Sequence, residues 1–151
     1  PGPYKGRGKD NEWGEKYADI LTRIMGADMA AIPAEYDRAC HVEYPGGHTG
    51  HSHGDVDQFW MGLRASFPDA TFQIDHQIGR DDPMMPPRAA LRWSLHGKHS
   101  GWGRFGAPTG AEVYLLGICH AEFGPWGLRR EYVIFDETTI WKQILLHTGE
   151  L

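Results

Sequence analysis

The chain has 151 residues, which fits one domain able to bury a sizeable core. Hydrophobic residues make up 40% and charged residues 23%, a balance that excludes a disordered chain, and no run of about 18 apolar residues offers a membrane span. A net charge of −5 with both signs interspersed argues against a nucleic-acid partner, which calls for a basic face. Cys40 and Cys119 fall on different elements and read as reduced thiols of a cytoplasmic protein. The first residues lack the apolar stretch of a signal peptide. Residues 1–12 read as a flexible arm and 13–151 as a single domain.

In chain order, Tyr17, Ile20, Leu21 and Ile24 carry the i, i+3, i+4, i+7 spacing of an amphipathic helix, which Gly26 ends. A second short helix is expected over Met29 to Arg38. His41 to Tyr44 reads as a short strand that stops at Pro45-Gly-Gly. Val56, Phe59, Trp60, Leu63 and Phe67 make the strongest helical stripe, with Asp55 and Asp57 near its positive end. From Ala70 the period changes to two. Ala70, Phe72, Ile74, His76 and Ile78 alternate with polar residues, predicting a strand with one buried face. Further strands are expected over Ala89–His99, Val113–Phe123 and Leu128–Phe135, with a hairpin turn at Gly124–Gly127 and a last helical turn from Glu137 to Leu146. The strand over Val113–Phe123 is apolar on both faces and is expected to be central. Helices first and consecutive strands after them argue for an α+β fold, a curved, mostly antiparallel sheet wrapped around N-terminal helices into a cone with an internal pocket.

Some candidate residues follow from position alone. His99 shares strand parity with Leu91, Trp93 and Leu95, which points it to the cavity mouth or into a hydrogen bond with the Gly-rich loop that follows. His76 interrupts an apolar face and reads as a satisfied core residue. His48, His51 and His53 sit in a Gly-rich loop without a nearby cysteine, so a solvated loop is favoured over a metal site, and no metal is expected.

Phe67-Pro-Asp69, Arg92-Trp93, His96-Gly-Lys-His-Ser-Gly101, Gly106-Ala-Pro-Thr-Gly110, Glu131-Tyr-Val-Ile-Phe-Asp136 and Lys142-Gln-Ile-Leu145, in that order, resemble the SnoaL-like polyketide cyclase family. That family shares the cone of ketosteroid isomerase and nuclear transport factor two. The resemblance implies an intramolecular aldol condensation without cofactor or metal, on an apolar, oxygen-bearing small molecule. It implies an acid/base aspartate at Asp136 and a polarising histidine at His120. Asp136 has the alternative of capping the last helix, and His120 that of pairing with Glu122 or Glu131. In a cone of this kind the first strand forms part of the pocket wall, which makes His41 and Tyr44 ligand contacts, and Trp93 and Tyr132 serve as core or substrate platform. A homodimer paired through the sheets is implied as well. A non-catalytic ligand-binding or dimerisation module of the same fold is the competing reading.

Overall fold

The computed structural model describes residues 9–150, with side chains from Glu12 onward. The proposed arm therefore lies largely outside the described residues. Its last part belongs to a helix, because α1 runs Lys9–Met25. α2 (Ala31–Glu35) is followed by β1 (Tyr36–Tyr44), β2 (His48–Gly50) and α3 (His53–Ser66). β3 (Thr71–Arg80), β4 (Arg88–Lys98), β5 (Glu112–Gly124), β6 (Gly127–Phe135) and α4 (Glu137–Thr148) complete the chain.

The six strands form one sheet in the order β2-β1-β6-β5-β4-β3. All neighbours are antiparallel except β1 and β6, which run parallel. The expected α+β cone is the observed architecture, and β5 is an interior strand as its two apolar faces predict. The second helix is shorter than expected. Tyr36, Cys40, Val42 and Tyr44 are all buried, and pairing of Tyr36 with Leu128 and of Val42 with Glu131 draws the chain into β1 before a longer helix can form.

Strand alternation sets which residues enter the cone. Leu91, Trp93 and Leu95 of β4 face inward, as do Val113, Leu115, Gly117, Cys119, Ala121 and Phe123 of β5 and Glu131, Val133 and Phe135 of β6. The helical stripes Tyr17-Ile20-Leu21-Ile24 and Val56-Phe59-Trp60-Leu63 close against them. Trp93 lies flat over Gly117, where a Cβ would stand 2.1 Å from its ring, and packs against Trp60, Phe72 and Phe135. The upper interior is thus filled with aromatic side chains.

The 99–111 loop is pinned to α3. Gly101 N–H donates to the Ser66 carbonyl and Arg104 N–H to the Gly62 carbonyl. A Cβ at Gly101 would fall 1.9 Å from the Ala65 carbonyl oxygen, so only glycine permits this approach. At its base His99 is fully buried. Its backbone N–H donates to the Ala111 carbonyl and its carbonyl accepts from Thr109 and Gly110.

Candidate functional site

β6 carries a carboxylate on its inner face. Glu131 shares parity with Val133 and Phe135 and is fully buried. Three phenols and an indole converge on it. Tyr17 of α1 donates to Oε2 at 2.6 Å and Tyr36 of β1 to the same oxygen at 2.8 Å. Tyr44 of β1 donates to Oε1 at 2.7 Å, and Trp60 Nε1 of α3 donates there at 3.2 Å. Both carboxylate oxygens are therefore satisfied, yet these partners bring no cation. Burial pushes the Glu131 pKa up and outweighs the four hydrogen bonds that pull it down. The three phenols are raised well above their ordinary value, first by burial and further by Glu131, so they remain neutral donors.

Tyr44 also faces a cavity of about 170 Å³. β2 supplies His48, Thr49 and Gly50 to its wall, α3 supplies Asp55, Gln58 and Phe59, and the pinned loop supplies Arg104. Tyr44 and Phe59 stack with their ring centroids 3.9 Å apart. Arg104 lies over the Phe59 ring at 5.4 Å. Its guanidinium pairs with the Glu137 carboxylate and donates to the Pro45 carbonyl at 2.9 Å. Asp55 accepts from the His51 backbone and the Ser52 hydroxyl, which hold its carboxyl below the usual carboxylate range. The result is an aromatic wall edged by hydrogen-bonding and charged groups, suited to a small molecule with a flat apolar part and oxygen substituents.

Of the residues given a catalytic or ligand-contact role from sequence, Tyr44 alone lines this cavity. Asp136 is exposed at the N-terminus of α4, where Oδ1 accepts from the backbone N–H of Thr138 at 2.9 Å and of Thr139 at 3.3 Å. Its pKa is lowered, chiefly by the Thr139 hydroxyl that donates to Oδ2 at 2.8 Å. Of the two roles open to it, the structure shows the cap: the chain leaves the sheet at Phe135, so the side chain turns to solvent beside a shallow cleft formed with Gly46 and Phe135. His120 is half-buried on the outer face of β5, opposite Tyr132, with ring centroids 6.2 Å apart. Burial lowers its pKa, against the pull of Glu122. The two side chains expected to work together do not meet.

His99 is a loop anchor rather than a mouth residue. Its Nδ1 is 2.9 Å from the Thr109 hydroxyl and its ring packs on Phe67. Trp93 is core. His41 stands beside His51 on the rim of the sheet, with ring centroids 4.9 Å apart. His53 Nε2 bonds the Tyr36 carbonyl at 2.7 Å. Among the described residues no group of three or more His, Cys, Asp or Glu side chains is placed to hold a metal ion. Glu131 and Arg104 were missed. The sequence signal for Glu131 is an acid on the apolar parity of a strand; that for Arg104 is a lone cation in a Gly-rich loop.

No protein-family model and no curated protein matches this chain. Solved structures do match. A proposed SnoaL-like polyketide cyclase from Jannaschia sp. CCS1 superposes with a TM-score of 0.77 at 12% identity, over 93% of this chain and 96% of that one. AclR from Streptomyces galilaeus, a proposed hydroxylase, gives a TM-score of 0.73 at 17% identity over 95% and 88%. IdmH from Streptomyces antibioticus, a proposed polyketide cyclase, gives 0.69 at 17% identity over 89% and 96%. The fold is that of the SnoaL-like polyketide cyclases.

Proposed function

We propose that this protein is a cofactor-independent enzyme that performs acid/base chemistry on a small oxygen-bearing molecule held in the cavity between β1, β2 and α3. The observation that carries the reading is the cavity's make-up: a stacked Tyr44–Phe59 wall edged by His48, Thr49, Gln58 and Arg104. Its volume of about 170 Å³ is below the roughly 300 Å³ at which drug-sized pockets begin. The ligand is therefore a single-ring compound, or the reacting end of a longer polyketide-like chain. The likeness in fold to proposed polyketide cyclases and a proposed hydroxylase fits this class of substrate. In this reading Asp136 caps α4, and His120 and Tyr132 belong to a face that pairs with a second copy. The enzyme works as a homodimer in the cytoplasm.

A second reading, a non-catalytic binding module, is favoured by two observations: Asp136 is engaged as a cap, and Trp60, Trp93 and Phe135 fill the upper interior. Both readings share the cavity. Thr49 is an exposed β2 residue on its wall, so Thr49→Trp should fill the cavity without disturbing the core. Ligand-detected NMR with a panel of small cyclic ketones and phenols should give hits for the wild type that Thr49→Trp loses. Hits that survive the substitution place binding elsewhere and sink the proposal.

A further inference from the structure

Glu131 joins α1, β1 and α3 to β6 through four buried hydrogen bonds, a link that apolar packing could supply without an ionisable group. A buried anion loses its hydration, and here no cation among its bonded partners repays it. Replacing buried ionic groups by well-packed apolar side chains is often neutral or stabilising. Yet three tyrosines from two elements, with Trp60 of a third, are spent on satisfying it. One of them, Tyr44, is also a wall of the cavity.

We propose that Tyr44 and Glu131 form one acid/base unit, in which the Tyr44 hydroxyl meets the ligand and Glu131 takes and returns the proton behind it. The inference rests on the cavity being the ligand site. In the forward step the Tyr44 oxygen takes a proton from an acidic C–H or O–H of the ligand. Its own O–H proton passes over the 2.7 Å hydrogen bond to Glu131 Oε1. One ligand bond to hydrogen breaks and its electron pair stays on the ligand as an enolate or phenolate. One O–H bond breaks and one forms at Tyr44, and one forms at Glu131. A single negative charge moves from Glu131 to the ligand, and Tyr17 and Tyr36 stay hydrogen-bonded at Oε2. The reverse transfer returns the proton to product.

The test uses 4-nitrophenol, whose absorption reports its ionisation. About one pH unit below the phenol's own pKa, roughly a tenth of the free phenol is ionised. Bound to the wild type it should be mostly ionised. Tyr44→Phe keeps the stack on Phe59 and Glu131→Gln keeps the side-chain shape. Both should still bind the phenol, more weakly by the share that ionisation adds in the wild type, about tenfold if roughly 90% of the bound phenol is ionised there, while its ionised fraction falls to the free-solution level or lower. If either folded variant still ionises the bound phenol as the wild type does, the proton unit is wrong. If Glu131→Gln fails to fold, as judged by near-ultraviolet circular dichroism, Tyr44→Phe alone decides. Binding itself is read by ligand-detected NMR: a wild type that binds the phenol without ionising it overturns the proton unit alone, and one that shows no binding at millimolar phenol removes the cavity reading itself.

Discussion

At the scale of single residues, Glu131 makes a prediction that separates it from the surface acids. Burial raises its folded pKa above the unfolded value of about 4.3. The folded chain therefore binds this proton more tightly than the unfolded chain. The stability Glu131 contributes is fully present below about pH 4 and is lost as pH rises through the folded pKa. Asp28, Asp55, Asp82 and Asp136 behave oppositely, because their folded pKa values are lowered and their contributions disappear in acid. They are common to the wild type and Glu131→Gln, so they cancel in the comparison. Denaturant unfolding of both proteins from about pH 4 to 8 should show the wild type losing ground to the variant as pH rises. A gap that widens in favour of the wild type would show that the four hydrogen bonds outweigh burial. Asp136 gives the complementary case. Asp136→Ala removes the side-chain acceptor for the Thr138 and Thr139 amides, so the melting temperature should drop while 4-nitrophenol binding is unchanged. Loss of binding in a folded Asp136→Ala would return this residue to the site.

At the scale of elements, β4 and β5 are locked by one large-to-small pair. The Trp93 ring occupies the space a side chain at Gly117 would need. Gly117→Ala should cost about 1–3 kcal/mol, the usual penalty for overpacking a filled core. Trp93→Phe added to it should recover part of that loss, which a double-mutant cycle measures as a coupling. Additive losses would mean that the ring moves aside freely. This pairing also marks what was legible in the chain. The stripes on α1 and α3 and the alternation of β3, β4 and β6 announce themselves because each has one apolar face, and β5 does so as a long apolar run between turn signals. β1 beyond His41 does not, since its extension depends on a parallel partner more than 80 residues away in sequence (Tyr36 opposite Leu128). The same holds for the site. Tyr44 was recognisable as a wall residue through the family resemblance. Glu131 was open to parity reasoning, as it falls in step with Val133 and Phe135, but its phenols come from α1 and β1, and their convergence is a tertiary fact. His99 shows the reverse case. Its parity with Trp93 leaves the cavity mouth and a hydrogen bond with the following loop as alternatives, and the contacts with Thr109 and Gly110, which fold the loop over it and bury it, select the second.

At the scale of the whole molecule, the outer face of the sheet exposes apolar side chains across β5 and β6. Tyr114, Leu116 and Ile118 on β5 and Ile134 on β6 are 52%, 56%, 57% and 68% exposed. Ile118 and Ile134 are direct cross-strand partners, so they form a contiguous apolar centre. His120 and Tyr132 continue it along the same pair of strands, and exposed His96 and Glu112, 3.2 Å apart, edge it. An apolar middle and a polar edge are the anatomy of a protein interface. The proposed homodimer would set this face against its own copy across a two-fold axis. A standard interface takes about 800 Å² from each partner, which is about a tenth of the 8333 Å² this chain exposes. Ile118→Glu would place two like charges near the axis without touching the inner core, where Cys119 and Trp93 sit. Light scattering coupled to gel filtration should give a dimer for the wild type and a monomer of unchanged circular dichroism for the variant. A wild type that stays monomeric at about 100 μM, a concentration well above the Kd range of stable dimers, would leave the face for another partner. If Ile118→Glu remains dimeric, the pairing runs through a different surface and the two copies do not meet across β5 and β6.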